Sequence, residues 1–569
     1  MTFRCMLAYD KSFAQRENAL GVRPSWESGR FEGMSIYQNT VFSLERDCLV
    51  EGNLRATVDA DGRLTTAKGI TIDTDVSETF PHLSSDCSIL DAMYGIAIRD
   101  QKRLVIEPET YFYMLCNRYG NAWKISDGLM PSGPVFWAGY GFPTYLYTRD
   151  TAFSSMLGTA HILPDVVASH LKHLRGLRRK VGLKVSRNHE IPIAGIPTEQ
   201  LDISEMAFAQ RYNTNCYTRR TDDVVWVLGL WEVYLTSGDE DLLEYILQEF
   251  DYFDEHFYQY FLDPADGLYR GQPTFIDVAT DCYLGRGPSE TILLKALSTN
   301  CMYLEAFHIV ARIARQRGYD DLGAAMEDRA EYLKNAIRQS FGSDDYPFYK
   351  FEDGTYSDRK EILGLAFVVL FDVVSKEEGA QLLARYHDGD YGRPLFWPFY
   401  GSDRVYHDNS TWPFAEAFFA LAEYKLGHKK SVIRKLMARL CRHGLQGDFN
   451  EVLERKSGAF AGCPGYLWSS AAFLALVYKM IAGVCVNEPG RVRFAPVLPE
   501  EVGSRFALSG LQYGKMIVDL HLAGNGEHVV SCCIDGREVT EPCLVRDDGR
   551  HCVEIVLGHE ISDGDRSES

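Results

Sequence analysis

The spacing of hydrophobic and polar positions changes twice along the chain. Leu54–Asp73 (LRATVDADGRLTTAKGITID) alternates apolar and polar residues around a DADG turn, as a hairpin would, and residues 1–85 as a whole read as irregular or β. From about Ile89 the period lengthens to that of helices, separated by loops rich in Gly, Pro and aromatic residues. Helices are predicted over 89–99, 149–161, 164–178, 201–210, 222–237, 239–261, 295–317, 320–341, 359–371, 375–386, 411–427, 429–443 and 467–482. A nearly uncharged member, such as Val224–Tyr234 or Ser470–Ile481, is matched with an amphipathic one, such as Asp239–Phe261 or Lys429–Arg442. After Gly483 the short alternation returns. Arg491–Gly558 (VRFAPVLP, KMIVDLHLAG, HVVSCCIDG, CVEIVLG) reads as a small antiparallel sandwich, and ISDGDRSES as a disordered tail.

An uncharged helix is buried nearly all round and an amphipathic one along a stripe, so the alternation predicts two layers of helices. A closed form of that arrangement is an (α/α)6 toroid, whose inner helices converge on one open end. An open solenoid pairs helices in the same way, but no regular sequence repeat supports it. The expected fold is therefore mainly α. A toroid spans 86–485, an N-terminal irregular or β region covers 1–85, and a C-terminal antiparallel β-sandwich covers 486–560, with a tail over 561–569.

Composition narrows the partners. The chain carries a net charge of −20 with no stripe of Lys and Arg, which argues against a nucleic-acid backbone and suits a neutral ligand. No apolar run is long enough to cross a bilayer, and MTFRCMLAYDKSF has no secretory h-region, so an intracellular, cytoplasmic protein is expected. Fourteen Cys without CxxC or Cys/His ligand spacing read as small buried hydrophobes in a reducing compartment. No Gly-rich phosphate loop, HExxH or GxSxG occurs, so neither a metal nor another cofactor is expected. The aromatic share of 12% fits broad stacking surfaces, and equally a large core.

Five polar and aromatic clusters sit where a loop runs into an inner helix. WAGYGFPTYLYTRDTAF holds Trp137, Tyr147, Arg149 and Asp150. Arg149 and Asp150 supply the fork donor and the acceptor that grip adjacent sugar hydroxyls, unless Asp150 simply caps the helix and pairs with Arg149. YNTNCYTRRTDDVVW sets Asp222 and Asp223 side by side at a helix start. There they favour the helix dipole, or raise one pKa as a general acid requires. FIDVATDCY places Asp277 before a buried helix, and YHDNSTWPFAEAFF places Trp412 before Pro413, with Ser410 or Thr411 as the cap. In FNEVLERKSGAFAGCPGYLWSSAAF an exposed acid, Glu451, is joined by a Gly-rich loop to Trp468. Each cluster taken singly has an ordinary structural explanation, Glu451 as a solvated glutamate included. Two carboxylates among aromatics are also the equipment for glycosidic-bond hydrolysis.

At these residues the sequence resembles the six-hairpin glycosidases, over most of 130–485. YTRDTAF is similar to the Trp-Thr-Arg-Asp-Ser segment of glucoamylases and the Gly-Arg-Asp-Thr segment of glycogen debranching enzymes. The likeness implies that Arg149 and Asp150 hold the hydroxyls of a terminal glucose. RTDDVVW resembles the Asp-x-x-x-Trp of debranching enzymes and family 63 α-glucosidases; the offset to Trp226 implies Asp222 as general acid, with Asp223 in reserve. FID resembles Trp-Met-Asp-Ala, and NSTWP resembles Gly-x-x-Trp-Pro, both of debranching enzymes. FNEVLERKSGAFAGCPGYLWSSAAF resembles the family 63 segment whose Glu is the base, which implies Glu451. The ending GRVRFAPVLPEEV…LSGLQYGKMIVDLHL is similar to the β-domain that follows the barrel in rhamnosidases and disaccharide phosphorylases. The resemblance implies an inverting, exo-acting hydrolase of a terminal, α-linked gluco-configured sugar, acting on a small oligosaccharide or glycoside, with Trp137, Trp412 and Trp468 as apolar walls. A phosphorylase, a uronyl-sugar lyase or hydrolase on the same toroid, and a non-catalytic sugar-binding protein are the alternatives.

Overall fold

The computed structural model describes residues 37–38, 42–76, 80–111, 131–142, 146–176, 184–186, 189–190, 221–271, 293–342, 345–400 and 406–559. Twelve helices of nine residues or more lie within them. They are α1 (Ser88–Arg103), α2 (Thr148–Leu157), α3 (Pro164–Gly176), α4 (Asp222–Ser237), α5 (Asp241–Phe253), α6 (Leu297–Gln316), α7 (Asp320–Phe341), α8 (Ile362–Leu370), α9 (Lys376–Ala384), α10 (Pro413–Lys425), α11 (Lys429–Cys441) and α12 (Leu467–Ala475). Burial follows the charge pattern. Every residue of α2 and α12 is buried, whereas α7 buries only a stripe through Gly323, Met326, Ala330, Leu333 and Ile337.

The even-numbered helices pack in a circuit: α2 on α4, α4 on α6, α6 on α8, α8 on α10, α10 on α12, and α12 back on α2. The odd-numbered ones lie against that circuit, α3 on α2 and α4, α5 on α4 and α6, α7 on α6, α9 on α8, α11 on α10, and α1 on α12. The middle is filled from several sides at once. Phe153 of α2 stacks on Phe414 of α10 at 5.6 Å and meets Phe367 of α8 at 6.2 Å and Phe418 of α10 at 5.5 Å. Helices α2 and α4 approach so closely that a Cβ at Gly229 would stand 2.9 Å from the Ala152 Cα, and the Ser155 hydroxyl donates to the Gly229 carbonyl at 2.7 Å.

Six short strands over 37–72 form a meander in chain order, all antiparallel. At the other end of the chain a six-stranded sheet runs Arg537–Glu538, His528–Ile534, Arg550–Gly558, Met516–Gly524, Arg505–Tyr513 and His82–Ser85. It departs from the predicted antiparallel sandwich in two ways. Met516–Gly524 and Arg550–Gly558 run parallel, and the outermost strand, His82–Ser85, comes from before the first helix. Period-two alternation fixes which face of a strand is buried but not its direction or its neighbour, so neither feature could be read from the pattern. The predicted helix 239–261 also differs: it widens into a π turn at Asp254–Tyr258. The predicted helix 201–210, the Asp277 cluster and the 561–569 tail lie outside the described residues. Among the described residues no helix is long and apolar enough to cross a membrane.

Candidate active site

Helix starts of the circuit hold Arg149, Asp150, Asp222, Trp412 and Trp468, whereas Glu451 precedes a strand and Asp277 lies outside the described residues. Helix α2 opens after Tyr147, whose carbonyl lies 3.2 Å from His170 Nε2, and its second and third residues are Arg149 and Asp150, both buried. Arg149 Nε stands 2.9 Å from Asp222 Oδ1, the first residue of α4, so these two buried charges face each other between neighbouring helices. Asp223 differs from Asp222 in what it offers. Its main-chain carbonyl accepts hydrogen bonds from Trp226 Nε1 at 2.9 Å and from the Tyr258 hydroxyl at 2.6 Å. Asp150 does not cap its helix; its Oδ1 accepts a hydrogen bond from the Tyr466 hydroxyl at 2.8 Å, directly before α12.

Glu451 begins the strand pair Val452–Glu454 and Phe460–Ala461, which is extended by Ser410–Thr411. It is clasped by the returning chain. The Glu451 N–H donates to the Cys463 carbonyl at 2.8 Å, and the Cys463 N–H donates to Glu451 Oε2 at 3.0 Å. Between them Gly462 adopts φ +70°, and a Cβ there would lie 2.6 Å from Glu451 Oε2, so only glycine fits. The second oxygen, Oε1, accepts from the Tyr406 hydroxyl at 2.7 Å. Far from being the exposed acid that its polar loop suggests, Glu451 has 0% of its surface accessible. Burial pushes its carboxyl up to about 8, with the charge of Asp150 adding to the rise and the Tyr406 and Cys463 donors offsetting part of it.

Helix α1 holds both sides of this loop. Asp100 Oδ2 accepts from the Phe449 N–H at 2.9 Å, and Gln101 Nε2 donates to the Leu467 carbonyl at 2.7 Å and to Ser470 Oγ at 2.8 Å. Sequence reasoning missed Asp100 and Gln101, because a polar run such as RDQKR at a helix end reads as solvated. It missed Tyr406 and Tyr466 too. Both lie inside quoted motifs, but a tyrosine beside tryptophans reads as wall rather than as a donor.

Of the three tryptophans expected as apolar walls, two lie together. Trp468 stacks on Phe414 at 4.0 Å and meets Trp412 at 5.6 Å, so the site floor is continuous with the aromatic plug of the helix circuit. Trp412 Nε1 donates to the Tyr406 carbonyl at 3.0 Å and to Ser410 Oγ at 2.9 Å, which fixes the turn that presents the Tyr406 hydroxyl to Glu451. Ser410 and Thr411 are strand residues, not caps; Trp412 is the N-cap and Pro413 opens the helix. Trp137 is half-buried, its main-chain N–H bonded to the Leu104 carbonyl at 2.9 Å, and among the described residues its ring joins none of these stacks.

A further carboxylate, Glu361, precedes α8 and is also fully buried, with burial pushing it up to about 8. A carboxyl whose folded pKa lies above its unfolded value keeps its proton better when folded. Its contribution to stability is complete below the unfolded pKa of about 4.3 and is lost as pH rises toward 8. Each tenfold gain in proton affinity on folding is worth about 1.4 kcal/mol, so Glu361→Gln should flatten the fall in unfolding free energy between pH 5 and 8 by a few kcal/mol. Urea titrations of both proteins at the two pH values measure it; equal slopes would contradict it.

No protein-family model and no curated protein matches this chain. Solved structures do. A sialidase superimposes with a TM-score of 0.56 at 12% identity, over 83% of this chain and 41% of its own. The GH78 family rhamnosidase of Bacillus sp. GL1 superimposes with a TM-score of 0.52 at 13% identity, over 84% of this chain and 44% of its own. A GH63 mannosylglycerate hydrolase from Thermus thermophilus gives a TM-score of 0.47 at 14% identity, over 68% of this chain and 100% of its own. This chain has the fold of the first two, and it spans about two fifths of the length of each.

Proposed function

We propose that this protein is an inverting, exo-acting glycoside hydrolase on an (α/α)6 toroid, with Asp222 as general acid and Glu451 as general base. The closed circuit of α2, α4, α6, α8, α10 and α12 supports the toroid, with 86–485 as the catalytic unit between the two β regions. One observation carries the function. Asp222 meets Arg149, the adjacent Asp150 meets the Tyr466 hydroxyl, and the charge of Asp150 adds to the rise of the Glu451 carboxyl, which supports a common site for acids from distant parts of the chain. The two fold neighbours are named a sialidase and a rhamnosidase, which supports the glycosidase class but not one sugar. Gluco-configuration rests on the Arg149–Asp150 likeness, and the α-linkage on the likeness to glucoamylases and family 63 α-glucosidases.

In this reading Arg149 and Asp150 turn to the hydroxyls of the terminal sugar, which releases Asp222 from its ion pair; Asp222 then takes up a proton from water and delivers it to the leaving oxygen. Glu451 is the base, ending with the proton that water attack releases. Its raised pKa suits that work, since a base poised near the operating pH accepts a proton readily and still releases it. Trp468 and Trp412 form the apolar floor. Inversion needs room for a water between sugar and base, so a complex should hold the two carboxyl groups roughly 6.5–9.5 Å apart, against about 5–5.5 Å for retention. The test is a panel of α-linked disaccharides and aryl glycosides, with the product anomer read by NMR immediately after cleavage. A β product from an α substrate is expected, and an α product would refute inversion.

A further inference from the structure

We propose that Tyr406 is a catalytic proton relay: its hydroxyl, not the Glu451 carboxylate, receives the proton of the attacking water and passes its own proton to Glu451 Oε1. The inference rests on Glu451 being the base. Its ground is geometric. Glu451 has no accessible surface, one of its oxygens is held by the Cys463 N–H at 3.0 Å, and the other is held by the Tyr406 hydroxyl at 2.7 Å. A base must come within hydrogen-bond reach of the proton that it removes, directly or through one intervening group. Two phenols act on the Glu451 carboxyl, Tyr406 and Tyr466; Tyr466 is buried and donates to Asp150, whereas Tyr406 retains accessible surface and is the group in between.

A phenol can donate one hydrogen bond while accepting another, which is what a relay needs and what a second carboxylate could not do. The step balances. As the water oxygen bonds to the anomeric carbon, its O–H bond breaks and the proton goes to Tyr406 Oη. The Tyr406 Oη–H bond breaks at the same time, and that proton goes to Glu451 Oε1. Tyr406 ends as a neutral phenol, Glu451 ends protonated, and the glycosidic oxygen leaves with the proton from Asp222. No tyrosinate accumulates, because both transfers accompany attack. The ring is held for this work: it meets Trp412 edge-on at 5.1 Å and His407 at 4.6 Å, and the Tyr406 carbonyl accepts from Trp412 Nε1 at 3.0 Å.

The experiment is a proton inventory, the rate in mixtures of light and heavy water, for wild type and Tyr406→Phe. Its substrate is an aryl glycoside whose strongly electron-withdrawing leaving group departs without the Asp222 proton, so that only base-side protons are counted. Phe keeps the ring and all main-chain contacts and removes only the relay oxygen. A relay gives a curved, two-proton inventory in the wild type, and a drop in kcat of about 10²-fold or more with a one-proton inventory in the variant. A linear inventory in the wild type overturns the relay, even should the variant fail to fold. A Tyr406→Phe enzyme within about threefold of wild type also overturns it, on the scale of a lost proton-transfer group. So does a loss of rate with the two-proton curve retained, which would leave Tyr406 as a positioning residue. Glu451→Gln, run alongside, separates this from the underlying reading: wild-type turnover there removes the base itself, whereas its inactivity beside an active Tyr406→Phe removes only the relay.

Discussion

Glu451→Gln should lower kcat by about 10²–10⁴-fold and leave the protein folded, the loss typical of a missing general base. Gln is close to Glu in shape and keeps a carbonyl oxygen that can accept from the Cys463 N–H or from the Tyr406 hydroxyl, so the clasp around Gly462 has no steric reason to open. Stability should even rise at alkaline pH. The wild-type carboxyl, held at about 8 by burial, must ionise inside the protein as pH passes that value, and the amide need not. The two effects have opposite signs, which makes the combination diagnostic: turnover falls while the melting temperature at pH 8.5 is unchanged or higher. The same pKa bears on rate. If ionised Glu451 is the working form, kcat/KM in the wild type should climb with pH toward about 8, and this acidic limb should vanish from the residual activity of the variant. Initial rates over pH 5–9, with thermal melts on the same samples, decide it. Turnover near the wild-type level in Glu451→Gln would remove this residue from the mechanism.

Much of the architecture was legible because charge is costly to bury. The nearly uncharged stretches Val224–Tyr234 and Ser470–Ile481 were expected to be covered on almost all sides, and the first lies in α4 while the second begins in α12. The order of motifs set Arg149, Asp150, Asp222, Trp412 and Trp468 at the starts of inner helices and Glu451 on the chain leading into one; these helices form one circuit, and Glu451 itself precedes a strand. What pattern could not supply was the partner across space. The exposure assigned to Glu451 followed from its polar neighbours Asn450, Glu454, Arg455 and Lys456. Asn450 is in fact buried with its N–H on His443 Nδ1 at 3.2 Å, and Glu454 folds back to accept from Asn409 and Ser457. Polar residues that satisfy one another look, in one dimension, the same as polar residues satisfied by water. The long-range ties share this property. Asp100 to Phe449, Gln101 to Leu467 and Tyr466 to Asp150 each span more than three hundred residues, and no local spacing announces them.

Asp222→Asn should also lower kcat by about 10²–10⁴-fold on a disaccharide or an alkyl glycoside, yet lose far less on an aryl glycoside with a strongly electron-withdrawing leaving group. The reason is the role assigned to it. A general acid matters in proportion to how poorly the departing oxygen bears negative charge, so a stable phenolate leaves without help. A general base is needed whatever the leaving group, and Glu451→Gln should show no such rescue. The pairing with Arg149 sharpens the contrast. Asparagine keeps an oxygen that can face Arg149 Nε but removes the negative charge of a site that is wholly buried, so Arg149 loses the partner of its ion pair. KM on the rescued substrate then reports whether Arg149 still reaches the sugar hydroxyls once that partner is gone. Asp223→Asn is the matched comparison, because it stands next in the same helix turn and the donors of Trp226 and Tyr258 rest on its main-chain carbonyl, which the substitution leaves in place. Equal losses on activated and unactivated substrates in Asp222→Asn would deny it the role of acid. Leaving-group rescue appearing in Asp223→Asn instead would transfer that role one residue along α4.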